Sequence, residues 1–147
     1  MKYCQAKIGR VFVVRLEDGD KLPAILEEFA SQHRVKRAIC FLLGGIKDGG
    51  RLVVGPNQEN ARPVEPLYFE LLGVHEFLAL GMIFPGTDKK PHLHLHGTMG
   101  REGRSYTGCL RPGVEVWQVG EVMLVEIVGT KARRLRDDST GFELLHP

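Results

Sequence analysis

The stretch Pro91-His-Leu-His-Leu-His96 decides how this chain is read. Side chains alternate along a β-strand, so His92, His94 and His96 share one face while Leu93 and Leu95 share the other. The leucines mark a face buried in a core, and the histidine face is then a surface, a cleft or an interface. Cα atoms two residues apart in a strand are roughly 6.6 Å distant, a spacing that lets two imidazoles converge on one ion. His92 and His96 are roughly 13 Å apart in a flat strand, near the limit of their combined reach. One ion therefore takes all three only if the strand bends, or if a neighbouring chain supplies a ligand.

A borderline-soft ion such as Zn²⁺ is bound by neutral imidazole at about 2.0–2.1 Å. Three protein ligands with an open fourth position describe a catalytic or labile site, and four describe a closed structural one. The expected metal set is His92, His94 and His96, with Zn²⁺ as the ion. Cys109, which a hairpin over 97–110 can bring back to the same neighbourhood, and His75, on a preceding strand, are further candidate ligands. The alternative is a histidine cluster that only hydrogen-bonds across an interface.

Working outward from the histidine strand, Gly100-Arg-Glu-Gly103 closes a hairpin and Arg104 to Leu110 returns. Leu67 through Phe84 is β-prone and reads as two strands meeting near Gly73. Val114 to Val119 and Val122 to Val128 read as a final hairpin turning at Gly120-Glu121, which makes Glu121 a turn acid. Trp117, in a strand, reads as core. Toward the N-terminus, residues 7–16 and 38–43 read as strands and 55–66 as a surface loop. Leu22, Ile25, Leu26 and Phe29 repeat at helical spacing, with Pro23 in the first turn, and that helix ends near His33. Gly44-Gly-Ile-Lys-Asp-Gly-Gly50 lacks the Lys-Ser/Thr of a phosphate-binding P-loop, and no helix pattern follows it.

The pattern is an α+β domain: about eight short, mostly antiparallel strands in a curved sheet, tending toward a barrel, with one principal helix. Residues 1–147 form one domain, a size that buries a sufficient core without disulfide or structural metal. Strands 38–43 and 77–84 are apolar on both faces, so another subunit is expected to cover part of the sheet.

Composition excludes several classes. The hydrophobic fraction is 43% and the net charge +2, too balanced for a dedicated nucleic-acid surface. The densest basic run, Lys131-Ala-Arg-Arg-Leu-Arg136, is followed by Asp137-Asp138 and reads as a solvated tail. Cys4, Cys40 and Cys109 are odd in number and widely spaced, which fits a reducing cytoplasm. The first residues are too polar for a signal peptide, and no apolar run approaches the roughly 20 residues of a membrane span. A cytoplasmic protein is expected.

Leu93-His-Leu-His-Gly-Thr98, Thr107-Gly-Cys-Leu110, Gly113 and Glu121-Val-Met-Leu124 together resemble the PPC domain (plants and prokaryotes conserved), which plants attach to AT-hook DNA-binding segments. The resemblance covers about residues 7–128 and leaves 129–147 as a C-terminal tail. His94 and His96 match the family's His-x-His, and Glu121 matches its glutamate. Thr107 and Cys109 stand where the family usually has glycine and histidine, the hairpin is one residue shorter, and His92 is additional. The resemblance implies a compact α+β fold, a homotrimer, a prokaryotic cytoplasmic location and a link to DNA. The chain has no Arg-Gly-Arg-Pro core of an AT-hook, so DNA binding by this chain alone is expected to be weak.

Three functions follow: a trimeric zinc-binding domain acting through a small ligand or partner, a metal-dependent hydrolase whose histidines activate water, and a DNA-associated regulator. The first is the leading expectation, and no catalytic residue is assigned.

Overall fold

A computed structural model describes all 147 residues. Its elements in chain order are β1 (Lys7–Leu16), β2 (Lys21–Leu22), α1 (Ala24–Gln32), β3 (Ala38–Ile46), β4 (Arg51–Pro56), β5 (Pro66–Glu70), β6 (His75–Pro85), β7 (Pro91–Arg101), β8 (Arg104–Cys109), β9 (Val114–Val128), β10 (Arg133–Arg136) and β11 (Glu143–His146). Nine strands form one sheet in the order β1-β9-β3-β6-β7-β8-β4-β5, with β2 pairing off this path to β9. All its pairings are antiparallel. The sheet is open: β1 and β5 are its two edges, so the expected tendency toward a barrel stops short of closure. No helix is long and apolar enough to cross a membrane.

One face of the sheet packs on α1. Leu26 and Ala30 of the helix are buried, together with Ala38, Cys40, Leu93, Leu95, Val122 and Leu124. The helical spacing read from sequence is thus the buried stripe, although Leu22 lies in β2 rather than in the helix. Glu27 is half-buried, and its Oε1 accepts the Leu93 N–H at 2.7 Å. That bond ties the helix to the start of the histidine strand. Backbone N–H groups need such partners when buried.

The last hairpin of the sequence reading is not present. Val114 to Val128 is one continuous strand, inserted between β1 and β3. Gly120 is a mid-strand residue because space, not turning, requires it: a Cβ there would lie 3.1 Å from Leu16 Cβ. Glu121 is accordingly a strand residue opposite Arg15 and Leu43. The irregularity lies nearby, where Gln118 takes φ 61° and the β3–β9 register shifts between Gly44 and Gly45. Such a bulge bends the strand locally, and it leaves Trp117 40% exposed rather than in the core.

Gly44 itself has φ 145°, and a Cβ built there would meet the Val119 carbonyl oxygen. A backbone atom cannot step aside as a side-chain tip can. Gly44→Ala is therefore expected to destabilise the domain by about 3 kcal/mol or more, read from the midpoint of urea unfolding.

Residues 129–147 are not a loose tail. Strands β10 and β11 pair with each other, and alternation turns Ala132 and Arg134 inward while Lys131 and Arg133 stay exposed. Asp137 closes the turn, accepting from Thr140 N–H, Thr140 Oγ1–H and Ser139 Oγ–H at 2.6–2.9 Å. These bonds hold its carboxyl well below the ordinary range, at about 2.

Candidate metal centre

Strands β6, β7 and β8 build the site. Along β7 the leucines alternate into the core, 4% and 1% exposed, which sends all three histidines to the opposite face. The β7–β8 turn at Glu102-Gly103 has φ 52° and 73°, the geometry of a tight two-residue hairpin. Its register sets Cys109 directly across from His96, so the thiol projects from the histidine face.

His94, His96 and Cys109 converge, their ligand atoms all within 4.8 Å of one another. The two Nε2 atoms are 3.0 Å apart, with the rings inclined at 77°. Two nitrogens bound tetrahedrally to one zinc would be roughly 3.3 Å apart, so the pair is close to the ligating arrangement without rotamer change. Two imidazoles and a thiol are a donor set that suits zinc.

The other candidates sit elsewhere. His92 shares the face, but its Nε2 is engaged by Asp88 Oδ1 at 2.9 Å, and this pairing lowers the aspartate's pKa. His75 is 3% exposed, with Nδ1 donating to the Gly73 carbonyl at 2.9 Å. It is a satisfied core histidine. Glu121 lies on the histidine side of the sheet in line with Thr98, but two strands, β3 and β6, intervene. Three inter-strand steps separate it from β7 by roughly 14 Å, beyond the reach of the cluster in the same chain.

The electrostatics keep the imidazoles neutral. Burial, followed by the positive charge of Arg111, then His96 and Arg134, pushes His94 down to about 4. His96 moves the same way from burial and Arg111. Neutral imidazole is the ligating form. Arg111 also opposes a bound dication, an effect that a Cys109 thiolate would offset.

A stability consequence follows. The folded pKa of His94 lies below its ordinary 6.5, so the unfolded chain binds more protons between those limits. The contribution is fully present above pH 6.5 and is lost as pH falls toward 4. Thermal melts in EDTA should show the melting temperature falling across that window. His94→Asn should flatten the slope, and an unchanged slope would refute the assignment.

Beside the cluster, the same sheet face forms a broad groove of about 780 Å³. Phe41, Leu43, Leu78, Leu80 and Met123 are 44–66% exposed there, and His96 and Thr98 form its far wall. Large apolar side chains clustered and exposed in this way are uncommon on a folded monomer.

An open antiparallel sheet with one packed helix, carrying a His-x-His strand beside a returning hairpin, defines a small α+β domain with a built-in cluster of metal-ligating side chains. The sequence profile of the Plants and Prokaryotes Conserved (PCC) domain matches residues 3–128, and the chain belongs to that family, named PPC above. The fold is similar to that of a PPC protein from Pyrococcus horikoshii, with a TM-score of 0.85 and 23% identity, covering 100% of this chain and 98% of that one. It is equally similar to a metal-containing protein from Archaeoglobus fulgidus, with a TM-score of 0.85 and 26% identity over 100% of both chains. The chain is also 30% identical over 138 residues to the bifunctional protein GlmU of a Synechococcus strain. It spans 20% of that protein's length.

Proposed function

We propose that this chain is a homotrimeric PPC domain in which His94, His96 and Cys109 bind zinc, acting through a small ligand or partner rather than as a self-contained enzyme. The observation that carries the reading is the convergence of two imidazoles and a thiol within 4.8 Å on adjacent strands. The metal-containing relative from Archaeoglobus supports it. His92 joins the set only by releasing Asp88. Three protein ligands leave a fourth position open, as in labile and catalytic sites. Metal-activated hydrolysis would also need a general base, and Glu121 reaches the centre only from another copy of the chain.

The trimer rests on the family resemblance and on the apolar groove, whose centre is formed by the two strands that read as doubly apolar in the sequence. Metal analysis of purified protein together with light scattering tests both parts. The expected result is one zinc per chain and a mass of about 49 kDa, three times 16.4 kDa. Protein that purifies without metal, whose melting temperature ignores added zinc and whose mass is that of one chain, would overturn the reading.

A second reading, DNA association, is favoured by one observation. Lys36, Arg37, Lys89, Lys131 and Arg133 line a groove of about 410 Å³ that contains no carboxylate. Lys131 and Arg133 belong to the basic run that reads as solvated in sequence. Such a groove contacts phosphates without reading bases, so binding to duplex DNA should be weak and steeply salt-dependent. Sequence-specific binding in the nanomolar range would displace the metal-centred reading.

A further inference from the structure

A second cavity, of about 390 Å³, lies around the start of β7, with His94 in its wall. Its charged walls are Arg111, Arg134, Glu27 and Glu143. Arg134 is 6% exposed, and its Nε has no hydrogen-bond partner. Nη2 reaches only the Met82 carbonyl, at 3.3 Å. Neither Arg134 nor Arg111 is in an ion pair.

A buried guanidinium left short of acceptors is costly, and proteins ordinarily give it a carboxylate. Here the two nearby carboxylates do not serve. Glu27 turns Oε1 to the Leu93 N–H and pairs with neither arginine, and Glu143, exposed on β11, favours the charge of Arg134 without coming within pairing distance. Burial and the like charge of Arg111 lower the pKa of Arg134. Two guanidinium groups therefore face one cavity without a carboxylate partner, and the Nε of the buried one has no acceptor. The cavity is in the size range of small-molecule sites.

We propose that this cavity binds a small oxyanion, the carboxylate or phosphate group of a small molecule, held by Arg134 from the buried side and Arg111 from the rim. The guanidinium fork matches either group in bidentate fashion, and the anion restores the acceptors that the fold omits. The site stands apart from the metal reading, because neither arginine is a ligand. The shared wall at His94 sets the anion beside the metal cluster.

Calorimetric titration of the full chain with inorganic phosphate and, separately, with malonate tests the inference, each on protein as purified and on protein stripped of metal with the uncharged chelator 1,10-phenanthroline and then dialysed. Saturable binding of at least one anion is expected, unchanged by metal removal. The preferred anion distinguishes a phosphate-bearing from a carboxylate-bearing ligand. Arg111→Gln, an exposed position that leaves the fold intact, should weaken binding roughly ten-fold or more, the scale of one charge-assisted hydrogen bond. Arg134→Gln should do the same, and Glu143→Gln should tighten binding by removing a like charge. Absence of binding to either anion overturns the proposal. So does binding that both arginine variants retain, and binding that disappears on metal removal belongs to the metal cluster instead.

Discussion

Leu80→Glu is expected to turn an assembly of about 49 kDa into a monomer of 16.4 kDa. Leu80 is 48% exposed at the middle of β6, with Phe41 across one strand boundary and His96 across the other. In an isolated chain the new carboxylate remains in water and the core is untouched, so the monomer should fold. In the proposed trimer the same group would be taken out of water opposite apolar side chains, a penalty of several kcal/mol per ion. Multiplied over three copies, that outweighs what an apolar contact of this size returns. Light scattering measures the mass directly. Thermal melts provide a second readout, since an assembly's melting temperature rises with protein concentration and a monomer's does not. A trimeric Leu80→Glu variant would place the subunit contacts on another face.

Removal of His94 should have the largest effect on metal. It is the central histidine of β7, its Nε2 faces that of His96 at 3.0 Å, and its environment holds it neutral. Loss of a residue that merely supports a ligand lowers metal affinity roughly 10–100-fold. His94→Ala removes a ligand itself and should exceed that range, leaving protein that purifies without zinc. Cys109→Ser should fall between this variant and the wild type, because a hydroxyl replaces a thiol that can become a thiolate. His33→Ala should retain the metal. His75→Ala should retain it too but melt earlier, because His75 is packed in the core and bonded to Gly73. Retention of zinc by His94→Ala would remove the cluster from consideration as the metal centre.

Where the sequence was informative, one local rule sufficed. Alternation along Pro91–His96 set both the histidine face and the core face, and the hairpin length returned Cys109 to that face. The helix over residues 24–32 followed from the spacing of its apolar residues. Features that depend on distant contacts were not readable. Gly120 looks like a turn residue, because nothing local reveals that Leu16 and Val116 will crowd it in mid-strand. The capture of His92 by Asp88 depends on how the 86–90 turn folds back on the strand. The inward rotation of Arg134 was hidden within a run of cations, since composition cannot distinguish a solvated arginine from a buried one lacking an acceptor. The use of Glu27 is unreadable for a similar reason: it accepts a backbone N–H from β7, a strand more than sixty residues on.

The insertion of β9 between β1 and β3 constrains the order in which the domain can be built. Strands β3, β6, β7 and β8 pair only with elements already made by Cys109, apart from the one side of β3 that awaits β9. The hairpin carrying the three donor side chains belongs to this early half and depends on contacts close in sequence, the kind that form fastest. Strand β1 has no partner until residues 120–128 exist, because its whole register runs against the second half of β9. As the chain leaves the ribosome, the β7–β8 hairpin can close while β1 still waits as an extended, half-apolar segment. The last long strand to be synthesised is the one that joins the two halves, and the period before it arrives is when the chain is most exposed to mispairing.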